Sequence, residues 1–113
     1  MTGDTLYLRH ILDAIARARS YTAGGRESFM ATPMIQDATI RNLEIIGEAA
    51  KHVSKTFREA HPDVPWTPMT GMRDVLIHGY MGVDLETVWD VVANRMEELE
   101  KHLEKLIGDE KTQ

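Results

Sequence analysis

Apolar positions recur along this chain at intervals of three and four residues, the spacing of one helical face. The first such stretch runs from about Thr5 to Tyr21 and carries Leu8, Ile11, Leu12, Ile15 and Ala18. Asp4 stands where an N-cap is expected, and Gly24-Gly25 breaks the pattern. A second stretch opens at Thr32-Pro33, a capping residue followed by proline at the first helical position. It continues through Ile35, Ala38, Ile45, Ile46, Ala49 and Val53 to about Phe57, some 40 Å at 1.5 Å per residue. The three prolines of 61–68 remove donors and restrict the residues before them, which predicts a non-helical connection with Trp66 plugged onto the core. A short third helix is predicted over Met69 to His78, ended by Gly79 and Gly82. Asp84 is placed to cap a fourth, striped by Leu85, Val88, Trp89, Val92, Met96, Leu99, Leu103 and Leu106. Gly108 and the polar tail to Gln113 read as a frayed end.

No segment keeps the two-residue alternation of a strand. Four apolar-faced helices joined by short connections predict an all-α, up-down four-helix bundle, with the short third helix as an appendage. At 113 residues the chain is expected to form one domain over 1–113 with a single modest core. An apolar share of 42% beside 27% charged residues is that of a soluble globular protein. Cysteine is absent, which excludes disulfides, thiolate zinc sites and a thiol nucleophile. No apolar run approaches the roughly 18 residues of a membrane span, and the first residues lack the basic start and apolar stretch of a signal peptide. The expected location is the cytoplasm. A net charge of −5 argues against a broad basic surface for nucleic acid, so RNA contact would rest on a local basic site.

The third helix concentrates the candidate chemistry in Gly71-Met72-Arg73-Asp74-Val75-Leu76-Ile77-His78-Gly79-Tyr80. On a regular helix Arg73 and His78 would stand about 140° apart around the axis and about 7.5 Å apart along it. An arginine fork fits phosphate oxygens, and a histidine at a helix C-terminus is poised to exchange protons near neutrality. The 2′-hydroxyl of RNA can itself attack phosphorus, so such a pair needs neither a metal nor a nucleophilic side chain. The competing reading is structural: a solvated Arg73–Asp74 ion pair and a capping His78. On the second helix Asp37, Arg41, Glu44, Glu48 and Lys51 or His52 form a polar stripe. It reads either as a solvent face of i,i+4 ion pairs or as support, through Arg41 and Glu48, for a nearby site. Glu48 and His52 have the spacing of two metal ligands, but no third recurs, and neither a metal nor another cofactor is expected. Met34, Met69, Met72, Met81 and Met96 read as core or interface filler. His10, His61 and His102 read as surface or loop residues, and Tyr7 and Tyr21 as packing. Tyr80, between Gly79 and Gly82, has room to reach solvent.

The pattern Arg73-x4-His78-x-Tyr80 resembles the R-x4-6-H motif of the HEPN superfamily, in the R-x4-H-x-Y form of HepT toxins. The likeness extends through Arg41-Asn42-Leu43-Glu44-Ile45-Ile46-Gly47-Glu48-Ala49, His61-Pro62-Asp63-Val64-Pro65-Trp66, Gly71 to Asp84, and Val88-Trp89. It covers most of residues 30–90 in order and spacing. The resemblance implies a helical homodimer with two motifs facing one another across a cleft. It implies metal-independent cleavage of RNA by Arg73 and His78, and a minimal nucleotidyltransferase antitoxin that attaches AMP to Tyr80. Asn often follows the arginine in the family. Here Asp74 does, in a position to orient Arg73 or His78. Two readings of other classes stand beside the ribonuclease toxin. One is a helical nucleotide-binding subunit of a nucleotidyltransferase complex that cleaves nothing. The other is a structural dimer in which Arg73 and His78 are buried ion-pair partners.

Overall fold

A computed structural model of the chain describes residues 3–76 and 82–111, and these are all-α. The elements are α1 (Gly3–Tyr21), α2 (Arg26–Ala31), α3 (Pro33–His52), α4 (Lys55–Ala60), α5 (Trp66–Thr70), α6 (Met72–Leu76), α7 (Leu85–Asn94) and α8 (Met96–Lys111). Among the described residues no helix is long and apolar enough to cross a membrane.

The first apolar stripe buries as predicted: Leu8, Ile11, Ile15 and Ala18 are all in the core. The helix nonetheless starts earlier, at Gly3, so Asp4 lies inside its first turn and does not cap it. Its carboxylate instead accepts hydrogen bonds from the backbone N–H of Ser54 at 2.7 Å and the Ser54 hydroxyl at 2.8 Å. Thr22 donates back to the Ala18 carbonyl at 2.8 Å, and Gly25 takes the left-handed backbone (φ 96°) that turns the chain.

The residues after that glycine form a helix the sequence pattern does not reveal. α2 has only Phe29 as a buried anchor, too little for a periodic signal. Its last carbonyls are met by the Gln36 amide, which donates to Phe29 and Met30 at 3.0 and 3.1 Å. α3 then opens at Pro33 as expected, although the Thr32 side chain makes no capping bond. It stops at His52 and does not reach Phe57. The extended Val53 and Ser54 intervene, and the Ser54 hydroxyl accepts from the Phe57 N–H to begin α4 as a separate helix.

The proline-rich connection is a second correction. Trp66 does seal the core, its indole N–H donating to the His61 carbonyl at 2.9 Å with Phe57 edge-on at 6.3 Å. But Trp66 also starts α5, and Pro68 sits in the first turn, where a missing donor costs no helical bond. What the apolar spacing presents as one short helix is two, α5 and α6, split at Gly71.

Asp84 caps α7 as predicted, accepting from the N–H groups of Glu86 and Thr87 at 3.0 and 3.4 Å. The long fourth stripe breaks at Arg95 into α7 and α8. α8 passes through Gly108 to Lys111, so that glycine does not end the helix. The helix formers on either side carry the helix through that glycine at a cost of about 1 kcal/mol.

α1 and α3 pack antiparallel over most of their length, and α8 lies against α1 through a 2.6 Å ion pair between Arg19 and Glu100. Leu43 and Ile46 of α3, Phe29, Val88, Met96 and Leu103 join the α1 stripe in one core. Phe29 meets the Trp89 ring at 5.6 Å. Met69, Met72 and Met96 belong to this core, whereas Met34 is 83% exposed. Met81 lies outside the described residues.

Among the described glycines the closest approach is at Gly47, where α3 meets α5 and α6. A Cβ at this position would stand 3.0 Å from the Met69 carbonyl oxygen and 3.1 Å from the Met72 Cβ. Both belong to the same short segment, so neither can yield alone. Gly47→Val is therefore expected to lower stability by about 1–3 kcal/mol, read as a lower urea midpoint at unchanged slope. Gly47→Ala loses less, because the gain in helix propensity of about 1 kcal/mol opposes the crowding. A Gly47→Val chain as stable as the parent would refute this seating of α6.

Candidate active site

The residues singled out by the sequence occupy two places. Arg73 and Asp74 lie on α6, both exposed, between the buried Met72 and Leu76. The alternation follows from the helix: Met72 and Leu76, four apart, point inward against α3 and α7, and the polar pair between them faces outward. Neither side chain makes an ion pair or hydrogen bond with another described residue. Arg73 is thus not a buried ion-pair partner, which removes that half of the structural reading. The expected Arg73–Asp74 pair is not formed either.

Beyond α6 the chain returns to its starting point. The Leu76 carbonyl accepts from the Asp84 N–H at 2.9 Å, and Gly82, at φ 87°, turns the backbone just before that bond. That bond ties the end of α6 to the capped start of α7 across the segment 77–83. His78 and Tyr80 fall within it and lie outside the described residues, as does Gly79.

Arg41 and Glu48 are elsewhere, on the exposed face of α3. With Tyr7, His10, Asp13 and Arg17 of α1, and Glu44, Ile45, Ala49 and His52 of α3, they line a groove of about 550 Å³. Glu48 stands 3.6 Å from the Lys51 ammonium, an i,i+3 pair on the surface. Such a surface pair is worth little in stability, and none of the i,i+4 ion pairs expected along the stripe forms among the described residues. Arg41 makes no ion pair with a described residue. A second groove, of about 660 Å³, runs between α5–α6 and α7–α8, with Met69, Met72 and Val75 on one side and Val91, Met96 and Leu99 on the other. Arg73 and Asp74 line neither groove.

The sequence reading overlooks the α1 side of the first groove. Tyr7, His10, Asp13 and Arg17 recur every three or four residues, a polar stripe as regular as the one on α3. Taking Tyr7 as packing and His10 as an isolated surface residue hides that stripe.

Comparison with known proteins finds relatives of the chain. The family model described as ribonuclease HepT-like matches residues 11–106. A candidate RNase of Caldanaerobacter subterraneus subsp. tengcongensis is 41% identical over 109 residues, covering 93% of this chain and 95% of its own length. A protein of Thermococcus cleftensis assigned as ribonuclease HepT is 42% identical over 101 residues, covering 88% of this chain and 92% of its own. A Methanocaldococcus jannaschii protein assigned as a gamma-glutamylcyclotransferase and RNase is 41% identical over 105 residues. That match takes in 92% of this chain but only 47% of the longer protein. No solved structure matches the chain.

The exposure of α6's polar pair has a direct consequence for stability. Arg73→Ala and Asp74→Ala are each expected to leave the folding free energy within about 0.5 kcal/mol of the parent, measured by thermal melting in circular dichroism. A loss of 3 kcal/mol or more, the usual cost of stranding a buried partner, would show that these residues hold the fold together.

Proposed function

The chain belongs to the ribonuclease HepT-like family, and from that premise we propose that it is a metal-independent endoribonuclease with Arg73 and His78 as its catalytic pair. The observation that carries the reading is the family match over 11–106, which spans the whole motif. It is supported by the presentation of Arg73, exposed and without a described partner on a helix clamped to α3. Each residue has a chemical task. An imidazole takes the 2′-hydroxyl proton as the 2′ oxygen attacks phosphorus. The bond from phosphorus to the 5′ oxygen breaks, and that oxygen takes a proton from the imidazolium of a facing motif. The products are a 2′,3′-cyclic phosphate and a 5′-hydroxyl. Arg73 offers its fork to the non-bridging oxygens as charge gathers there. Two facing motifs require a homodimer, and this assembly is part of the proposal. Asp74, which makes no pair with Arg73, takes its orienting role towards His78.

Regulation belongs to the same reading. A minimal nucleotidyltransferase antitoxin transfers AMP from ATP to Tyr80: the phenolic oxygen attacks the α-phosphorus, pyrophosphate leaves and the phenol proton is lost. Tyr80 is two residues from His78 in sequence, so the new phosphate competes with RNA phosphate for Arg73 and repels the strand. The net charge of −5 favours a second reading, in which the chain binds nucleotides beside such a partner and cleaves nothing.

One assay separates the two. The purified chain is expected to cut single-stranded RNA with EDTA present. Arg73→Ala and His78→Ala should each lose at least about 10²-fold in rate while melting as the parent does. A His78→Ala protein that cuts RNA like the parent would overturn the nuclease reading. The regulatory claim has its own readout. Co-expression with a cognate nucleotidyltransferase should add AMP masses to Tyr80, and Tyr80→Phe should stay toxic despite the partner. A neutralised chain with unmodified Tyr80 would instead point to inhibition by binding alone.

A further inference from the structure

The groove between α1 and α3 has a chemistry that the catalytic pair does not use. The two helices run antiparallel, so the start of α1 faces the end of α3. At that end the Tyr7 ring stacks on the His52 ring, with centroids 5.0 Å apart and planes 19° from parallel. His10 adds its edge to Tyr7 at 5.9 Å. At the opposite end the Arg17 Nε donates to the Asn42 Oδ1 at 2.7 Å. Asn42 is buried and is itself fixed by donating to the Ala38 carbonyl at 2.9 Å. That bond orients the Arg17 guanidinium and leaves its two terminal nitrogens without a described acceptor. Arg41, one residue before Asn42, adds a second guanidinium with none. The ten residues from Tyr7 to Arg17 put about 15 Å between the aromatic and the cationic ends.

Between these ends the floor is Ile45 and Ala49, and Asp13, Glu44 and Glu48 stand on the walls. An aromatic platform takes the face of a base, whatever its sequence. Guanidinium forks take phosphate oxygens in pairs. Carboxylates between them can accept from ribose hydroxyls or exocyclic amino groups. A bare phosphate would leave the rings and carboxylates unused. A basic peptide would meet two arginines at one end. The volume of about 550 Å³ is that of a small-molecule site.

We propose that the α1–α3 groove is a nucleotide-binding subsite, with Tyr7 and His52 stacking a base and Arg17 and Arg41 holding phosphate. Arg41 thereby acts at a site apart from Arg73, as a binding residue. The nucleotide comes from an RNA strand or from the free pool. Only the first source rests on the ribonuclease reading.

The test is NMR mapping of the chain with three probes: AMP, ribose 5-phosphate, and a short 2′-O-methyl RNA that cannot be cut. AMP or the oligonucleotide should shift the Tyr7 and His52 ring protons, with ribose 5-phosphate at least tenfold weaker. His52→Ala and Arg41→Ala, both at exposed positions, should each weaken binding at least fivefold. His52→Phe, which keeps a ring, should restore most of the loss from His52→Ala. Shifts with the oligonucleotide alone identify an RNA subsite, and shifts with AMP alone a free-nucleotide site; either supports the proposal. Equal binding of ribose 5-phosphate would overturn it, as would ring protons that no probe moves. So would a groove closed by a second copy, with both histidine variants shifting only the monomer–dimer equilibrium. The two readings fail separately. A chain that binds nucleotide here but cuts no RNA keeps the subsite and loses the nuclease. A chain that cuts RNA with unmoved groove rings does the reverse.

Discussion

The contact between Gly47 and the Met69–Met72 backbone sets the position of everything on the α6 side of the molecule. A hydrogen atom there lets α3 approach close enough for Met69, Met72 and Leu76 to enter the common core. Each of these side chains contributes about 1.5–3 kcal/mol on burial, and no other described element holds α6 from that side. The geometry of the core thereby decides which way Arg73 and Asp74 face. The same rigid packing that crowds a side chain at Gly47 keeps the arginine out of the interior.

An acidic chain can still present cations locally, because its charges are spread unevenly over the surface. Glu100 holds Arg19, Glu86 pairs with Arg26, Glu48 with Lys51, Glu59 with Lys55, and Glu97 with Lys101. These pairs are mostly surface contacts of small energetic value. They nevertheless neutralise charge within a Debye length of about 8 Å in physiological salt. Arg73 on α6, Arg17 on α1 and Arg41 on α3 make no ion pair with a carboxylate among the described residues. Net charge therefore says little about what a phosphate meets on approach.

How much the sequence discloses depends on the signal that each element carries. Leu8 to Ala18 and Val88 to Leu106 repeat their apolar spacing often enough to fix helices and buried faces. The Asp84 cap and the Gly82 turn are legible because one residue type does each job. Short elements are not. α2 has a single buried anchor, and the break at Ser54 depends on Asp4, fifty positions away, which no local pattern reports. Pro68 misleads because proline excludes helix interiors but not first turns. The site divides in the same way. The residue types from Arg73 to Tyr80 suggest phosphate chemistry but leave a surface ion pair open, and only the folded chain shows Arg73 and Asp74 exposed and unpaired with one another. The α1–α3 groove is a property of two antiparallel stripes in register, visible only once the helices are paired.

A helix of five residues, such as α6, has room for a single internal i→i−4 hydrogen bond. Isolated helices shorter than about 12 residues are marginal in water. α5 and α6 therefore owe their shape to the surface of α3, and a peptide copied from 66–84 would have no reason to adopt it. The motif is in this sense not portable. Carrying it to another scaffold means carrying the glycine face of α3 and the Leu76–Asp84 clasp with it. Any lineage that reshapes one of these pieces has to reshape the others at the same time.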